Sequence, residues 1–325
     1  MSFYIQERDM SSTLDSIIYY FSIITSSFIL IVGTVGNSLN IIIFLSLKTL
    51  RKNPCAFCLL VLSVSDNGML LFSTIPNILN NIARNYSGLS ALFTCKLSMC
   101  FGQTFALLSH CLMCYAAIDQ CISTSMSERF KGMTIRLIRR LILLSILLCI
   151  LHGIPFLLYF DAQTLPGTNT TTCRPTDNDG AFSKYTIYVA FPIIGGLLPI
   201  LIMTVFALIA LQNVRKMTRR RTHIIRLRLE KQLTAMVLIK IFSVCFTIVP
   251  FFLVYIIRYL ITSHNDNPLV QKAFMLVTRI STCLLFINYA VSQTRHLLED
   301  IPMLRFFCRI IFISSFYPRL VFVDN

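Results

Sequence analysis

Seven continuous apolar runs divide the chain, near residues 17–47, 55–79, 92–122, 135–160, 184–212, 232–261 and 270–294. Each reaches the ~20 residues that a helix needs to cross about 30 Å of hydrocarbon. None alternates with a period of two, which excludes the strands of a membrane β-barrel. The pattern predicts an all-α membrane protein, a seven-transmembrane helix bundle over 17–294. A polar segment, 1–16, precedes it, and a tail, 295–325, follows. The first segment carries Glu7, Arg8, Asp9 and Asp15 and no cleavage-site pattern, so the first run is expected to serve as its own insertion signal.

Charge fixes the orientation. Only 13% of the residues are charged, about half the share in soluble domains. Most of the 29 Lys and Arg fall around alternate gaps and in the tail. Lys48, Arg51 and Lys52 follow the first run. Arg129, Lys131, Arg136, Arg139 and Arg140 surround the third gap. The fifth gap carries a dense cluster from Arg215 to Lys231, and the tail adds Arg295, Arg305, Arg309 and Arg319. Basic loops stay on the cytoplasmic side. The other gaps hold the sequons at Asn85 and Asn169, which accept glycan only on the luminal side. Both signals put the N-terminus outside and the tail inside, where a short amphipathic helix is expected. The net charge of +15 is then explained by anionic membrane lipid and calls for no nucleic acid.

Most of the twelve cysteines lie within apolar runs, where Cys behaves as a small hydrophobe. Cys55 and Cys58 form a C-x-x-C with no further ligand nearby in sequence, so no metal site is expected. Cys95 and Cys173 differ from the rest because both face the oxidising outer compartment, and a disulfide between them is expected. Cys308, beside Phe306, Phe307 and Ile310 in the tail, is a candidate palmitoylation site.

Polar residues inside a span are costly and need a reason. Asp66 lies midway along the second run, and Asn37, Ser109 and Asn288 lie at matching depths. These four oxygen-bearing side chains either hold a small cation or hydrogen-bond one another. Lys240 enters the sixth run from the inner side and is expected to snorkel inward on its long stem. Arg258 and Arg279 lie near the outer ends of the last two runs, within reach of an anionic ligand group or of lipid headgroups. Pro76, Pro155, Pro199 and Pro250 punctuate the spans and are expected to kink them.

In this order the features resemble those of the rhodopsin-like (class A) G-protein-coupled receptors, over about residues 17–294. Gly36-Asn37 is similar to the family's first-helix motif, and Leu62 to Asp66 to the second-helix L-x-x-x-D. Asp119-Gln120-Cys121 is similar to the D-R-Y triplet. The 24 residues from Cys95 to Asp119 span about 36 Å of helix, one face of the membrane to the other. Pro199 and Pro250 match the prolines of the fifth and sixth helices. The resemblance implies a plasma-membrane receptor with a sodium ion at Asp66 and no other cofactor. It implies a ligand pocket near Gly102, Gln103, Ile248, Arg258 and Arg279, and a G-protein-facing end at Asp119, Gln120, Cys121 and Glu230. Helix motifs and the long outer loop look most like invertebrate FMRFamide-type neuropeptide receptors, which implies an extracellular peptide ligand and a G protein or arrestin as partner.

The chain also departs from the family. Gln120 stands in place of the Arg that engages the G protein, and Cys121 in place of Tyr. There is no Trp, and Ile248 occupies the sixth-helix toggle position. The seventh run has Asn288-Tyr289-Ala290-Val291-Ser292 in place of N-P-x-x-Y. A non-coupling or decoy receptor of the same fold is therefore the alternative reading. A small transporter is a further one, against which no internal repeat of the hydropathy pattern is found. An enzyme is not expected: the five His are scattered, and no H-E-x-x-H or G-x-S-x-G occurs.

Overall fold

A computed structural model describes residues 2–46, 53–82, 89–125, 133–164, 171–177, 180–218, 224–262 and 268–290. Helix α1 covers Ser2–Ser46. Helix α2 is built from Pro54–Met69, a wide π turn at Leu70–Thr74 and Ile75–Ile82. Helix α3 is Leu89–Ser123 and α4 is Ile135–Tyr159. Helix α5 joins Ala181–Tyr185, a π stretch at Thr186–Leu197 and Leu198–Thr218. Helix α6 is Ile224–Thr262 and α7 is Pro268–Ala290. Seven stretches among the described residues are long and apolar enough to cross a membrane, one on each helix.

Local chemistry explains several of the boundaries. Asn53 caps α2 by accepting from the Ala56 N–H at 3.2 Å, with Pro54 at the first helical position. Thr134 caps α4 through the Leu137 N–H. Asp177 opens α5: its carboxylate accepts from the N–H groups of Phe182 and Ser183 and from the Ser183 hydroxyl. Helix α1 starts at Ser2 rather than near residue 17, because 2–16 contains no Gly or Pro to stop it. The π turn in α2 ends just before Pro76. A proline ring clashes with the carbonyl four residues earlier, and a widened turn relieves that clash. Pro192 inside the π stretch of α5 gives a similar cause there, and the sequence reading did not single out that proline.

Helix α3 lies at the centre, touching α2, α4, α5 and α6, while α1 lies against α2 and α7. The main core fills the inner half around α3, with Leu59, Leu112, Met113, Ile138, Met203 and Val244 all buried. Outward-facing positions are apolar too: Leu143, Phe242 and Phe246 are about two-thirds exposed or more (67%, 70% and 64%). Such a surface suits hydrocarbon and not water.

Between α4 and α5 lies an antiparallel hairpin, β1 (Phe160–Thr164) with β2 (Thr171–Pro175), in which Ala162 pairs with Cys173. The all-α expectation missed this small sheet. Cys173 is disulfide-bonded to Cys95 at the start of α3, with Cα atoms 5.6 Å apart. Closing a 78-residue separation restricts the unfolded chain by about 4.5 kcal/mol in the loop-entropy account. Beneath the bridge, Phe156, Phe160 and Phe182 form an aromatic cluster. The sequons at Asn85 and Asn169, Cys308 and the expected helix of the tail lie outside the described residues.

Candidate functional site

Three polar layers lie along the bundle axis. At the inner end, Asp119 and Gln120 are both buried, each 1% exposed. Asp119 accepts a hydrogen bond from the Met133 N–H at 2.9 Å and so fastens the chain entering α4 to α3. Gln120 accepts from the Thr234 hydroxyl of α6 at 2.8 Å. The α3–α6 contact at this position is therefore a neutral hydrogen bond, as an uncharged Gln requires. The amide nitrogen of Gln120 has no partner among the described residues. Cys121 joins the same end through its carbonyl, which accepts from Asn213 of α5 at 3.3 Å. Neither Asp119 nor Gln120 presents a surface to a partner in this conformation. Glu230 lies on α6, but its side chain is outside the described residues.

The middle layer differs from expectation. Ser109 donates to Asp66 Oδ1 at 2.6 Å, as the matched depths suggest. Lys240 does not snorkel inward. It is 1% exposed, and its Nζ lies 2.9 Å from Asp66 Oδ2 and also donates to the Asn288 carbonyl. The physical reason is a competing acceptor. Asp66 lies twelve residues into α2, about 18 Å along the helix, at a depth the ammonium can reach across the bundle. Pairing there neutralises two charges that would otherwise be separately desolvated. Asn37 belongs to a neighbouring contact instead, its amide donating to the Tyr289 carbonyl at 2.8 Å. The Asn288 side-chain oxygen is buried without a partner among the described residues. Four oxygen-bearing side chains therefore do not converge on one point, and the place beside Asp66 Oδ2 is held by an ammonium. This arrangement does not fit the sodium ion that the resemblance implies.

The outer layer is a cavity of about 440 Å³ beneath the Cys95–Cys173 bridge. Its walls come from α2, α3, α5, α6 and α7, with His152 of α4 at one side. Most of the lining is apolar, including Phe191, Phe251, Phe252 and Ile248. Gln103 and Arg279 lie in it as expected, and Arg279 donates to Asn77 Oδ1 of α2 at 2.9 Å. Gly102 does not line it. A side chain there would meet Ser73 Oγ at 2.7 Å, so this glycine sets the close approach of α3 to α2. The side chain of Arg258 lies outside the described residues. His110, buried at the floor beside Tyr289, was missed. Neither of its ring nitrogens has a partner among the described residues. The signal was available: an ionisable residue within a span, next to Ser109, warrants a functional reading even without a second His at ligand spacing. Among the described residues no group of three or more His, Cys, Asp or Glu could hold a metal ion.

An outer cavity, a polar core and an inner α3–α6 latch thus lie in line along the bundle. The family described as 7 transmembrane receptor (rhodopsin family) matches residues 36–291, from the first helix to the end of the seventh. The chain belongs to this family of receptors. A search of curated proteins finds no match to it. Rhodopsin-family receptors bind extracellular ligands and signal through G proteins, so this receptor is a multi-pass protein of the plasma membrane and not an enzyme.

Proposed function

We propose that this receptor responds to a short extracellular neuropeptide, one end of which enters the cavity beneath the β1–β2 hairpin. The cavity itself carries the reading. Its volume of about 440 Å³ lies within the range of pockets that hold small ligands, about 300–1,000 Å³. It accommodates a peptide end and not a folded hormone. Apolar walls suit aromatic or aliphatic side chains. Gln103, His110 and the Arg279–Asn77 pair supply the few polar groups that fix orientation. The disulfide-tied hairpin lies at the mouth, where the rest of the peptide would rest.

Signal output would pass through α3, α5 and α6 to a G protein at the inner face. A second reading, a receptor that binds ligand without activating G protein, is favoured by one observation. Gln120, held by Thr234, supplies no guanidinium to a partner. A peptide-library screen on cells expressing the full chain, read for both G-protein activation and arrestin recruitment, tests both. Peptide-driven G-protein activation that rises in Gln120→Arg supports the first reading. Arrestin recruitment or binding alone supports the second. A well-expressed receptor that answers lipids and no peptide sinks the peptide proposal.

A further inference from the structure

The contact between Lys240 and Asp66 bears on more than packing. Both residues lie within membrane spans, 1% and 2% exposed. The carboxylate has two oxygens and both are used: Oδ1 accepts from Ser109, and Oδ2 faces Nζ of Lys240. The ammonium in turn finds a second acceptor in the Asn288 carbonyl on α7. One fixed positive charge thus sits where three helices, α2, α6 and α7, converge. A buried carboxylate needs a compensating charge, and a small cation and an ammonium are competing ways to supply it. Here the compensation is covalently attached to the chain. A second cation at the same carboxylate would bring like charges together in a medium of low dielectric, with no further anion among the partners named to offset it.

We propose that Lys240 is this receptor's built-in counter-ion: its ammonium occupies the cation position at Asp66, so the chain takes up no sodium there and ties α6 to α2 instead. Two consequences separate this from a merely structural ion pair. The wild-type receptor is indifferent to sodium. Removing the ammonium while keeping the carboxylate, Ser109 and the Asn288 carbonyl uncovers an oxygen set that a sodium ion can enter.

The experiment is a thermal melt of the purified full-length receptor in detergent, in sodium chloride against choline chloride at matched ionic strength. Wild type is expected to melt at the same temperature in both. Lys240→Met, which keeps most of the stem, is expected to melt at least about 2 °C higher in sodium, and the double variant Lys240→Met/Asp66→Asn is expected to lose that difference. A sodium-specific rise in wild type that Asp66→Asn abolishes would overturn the proposal. So would a folded Lys240→Met that ignores sodium. Should Lys240→Met fail to fold, Lys240→Gln takes its place. Radioactive sodium binding to wild type is decisive alongside either: Asp66-dependent uptake overturns the proposal, and none supports it.

Discussion

Breaking the Lys240–Asp66 pair one side at a time should cost far more than replacing both sides together. Lys240→Met leaves Asp66 with the Ser109 hydroxyl and no positive charge; Asp66→Asn leaves an ammonium with neutral acceptors only. Both residues are at most 2% exposed and 2.9 Å apart, so water cannot take over the lost contact. Removing one member of such a pair typically costs about 3–5 kcal/mol, whereas replacing the whole pair is often close to neutral. The double variant is therefore expected to lie within about 2 kcal/mol of wild type, with a coupling energy of about 4 kcal/mol or more between the sites. The chain has no Trp, but it has buried free cysteines, among them Cys55, Cys58, Cys114 and Cys149. A thiol-reactive fluorophore can report unfolding of all four receptors in detergent, in choline buffer so that sodium plays no part. Additive losses, with the double variant as unstable as the two singles summed, would refute the reasoning and mean that the charges do not sense each other.

Two other outcomes are expected. Thr234→Val removes the hydroxyl from which Gln120 accepts and leaves both polar atoms of that amide buried without a partner among the described residues; a loss of about 1 kcal/mol from the closed α3–α6 contact corresponds to about a fivefold shift in population, read as raised basal G-protein activation at equal surface expression, and no rise would place the latch elsewhere. The Ser183 hydroxyl, followed by the Ser183 and Phe182 N–H groups, holds the Asp177 carboxyl below its ordinary value of 3.8. A depressed value stabilises the folded loop above the ordinary range and loses that effect only as pH falls through the lower, folded value. Hydrogen exchange at the Phe182 and Ser183 amides, corrected for intrinsic rates, should therefore show constant protection from pH 5 to 8 (about the range of endosome to cell surface) and weaker protection throughout that range in Asp177→Ala.

The parts legible in the sequence are those with a one-dimensional signature. Seven apolar runs reappear as seven helices, because span length is imposed by bilayer thickness and not by distant contacts. Cys95 and Cys173 could be paired from compartment alone. Lys240 could not be placed, because 174 residues separate it from Asp66 and no spacing rule joins a site on the second helix to one on the sixth. Depth grouped Asn37 with Asp66, yet depth says nothing about azimuth, and Asn37 faces the Tyr289 carbonyl. Gly102 was assigned to the pocket by its position along α3, whereas its contact with Ser73 turns that face toward α2. The strand pair 160–164 with 171–175 carried a usable signal in the Pro166-Gly167 of the intervening sequence, but the segment was read only as a long polar loop.

The widened turn at Leu70–Thr74 changes how this receptor can be compared with its relatives. A π turn accommodates one residue more than an α turn does, and one residue of α-helix is about 100° of rotation. Positions beyond it, Asn77 among them, point elsewhere than simple counting from Asp66 would place them. Transplanting pocket residues into α2 by matching residue numbers to a relative without that bulge would set them on the wrong side of the helix. Deleting one residue within 70–74 would swing the whole outer end of α2 and carry Asn77 away from Arg279.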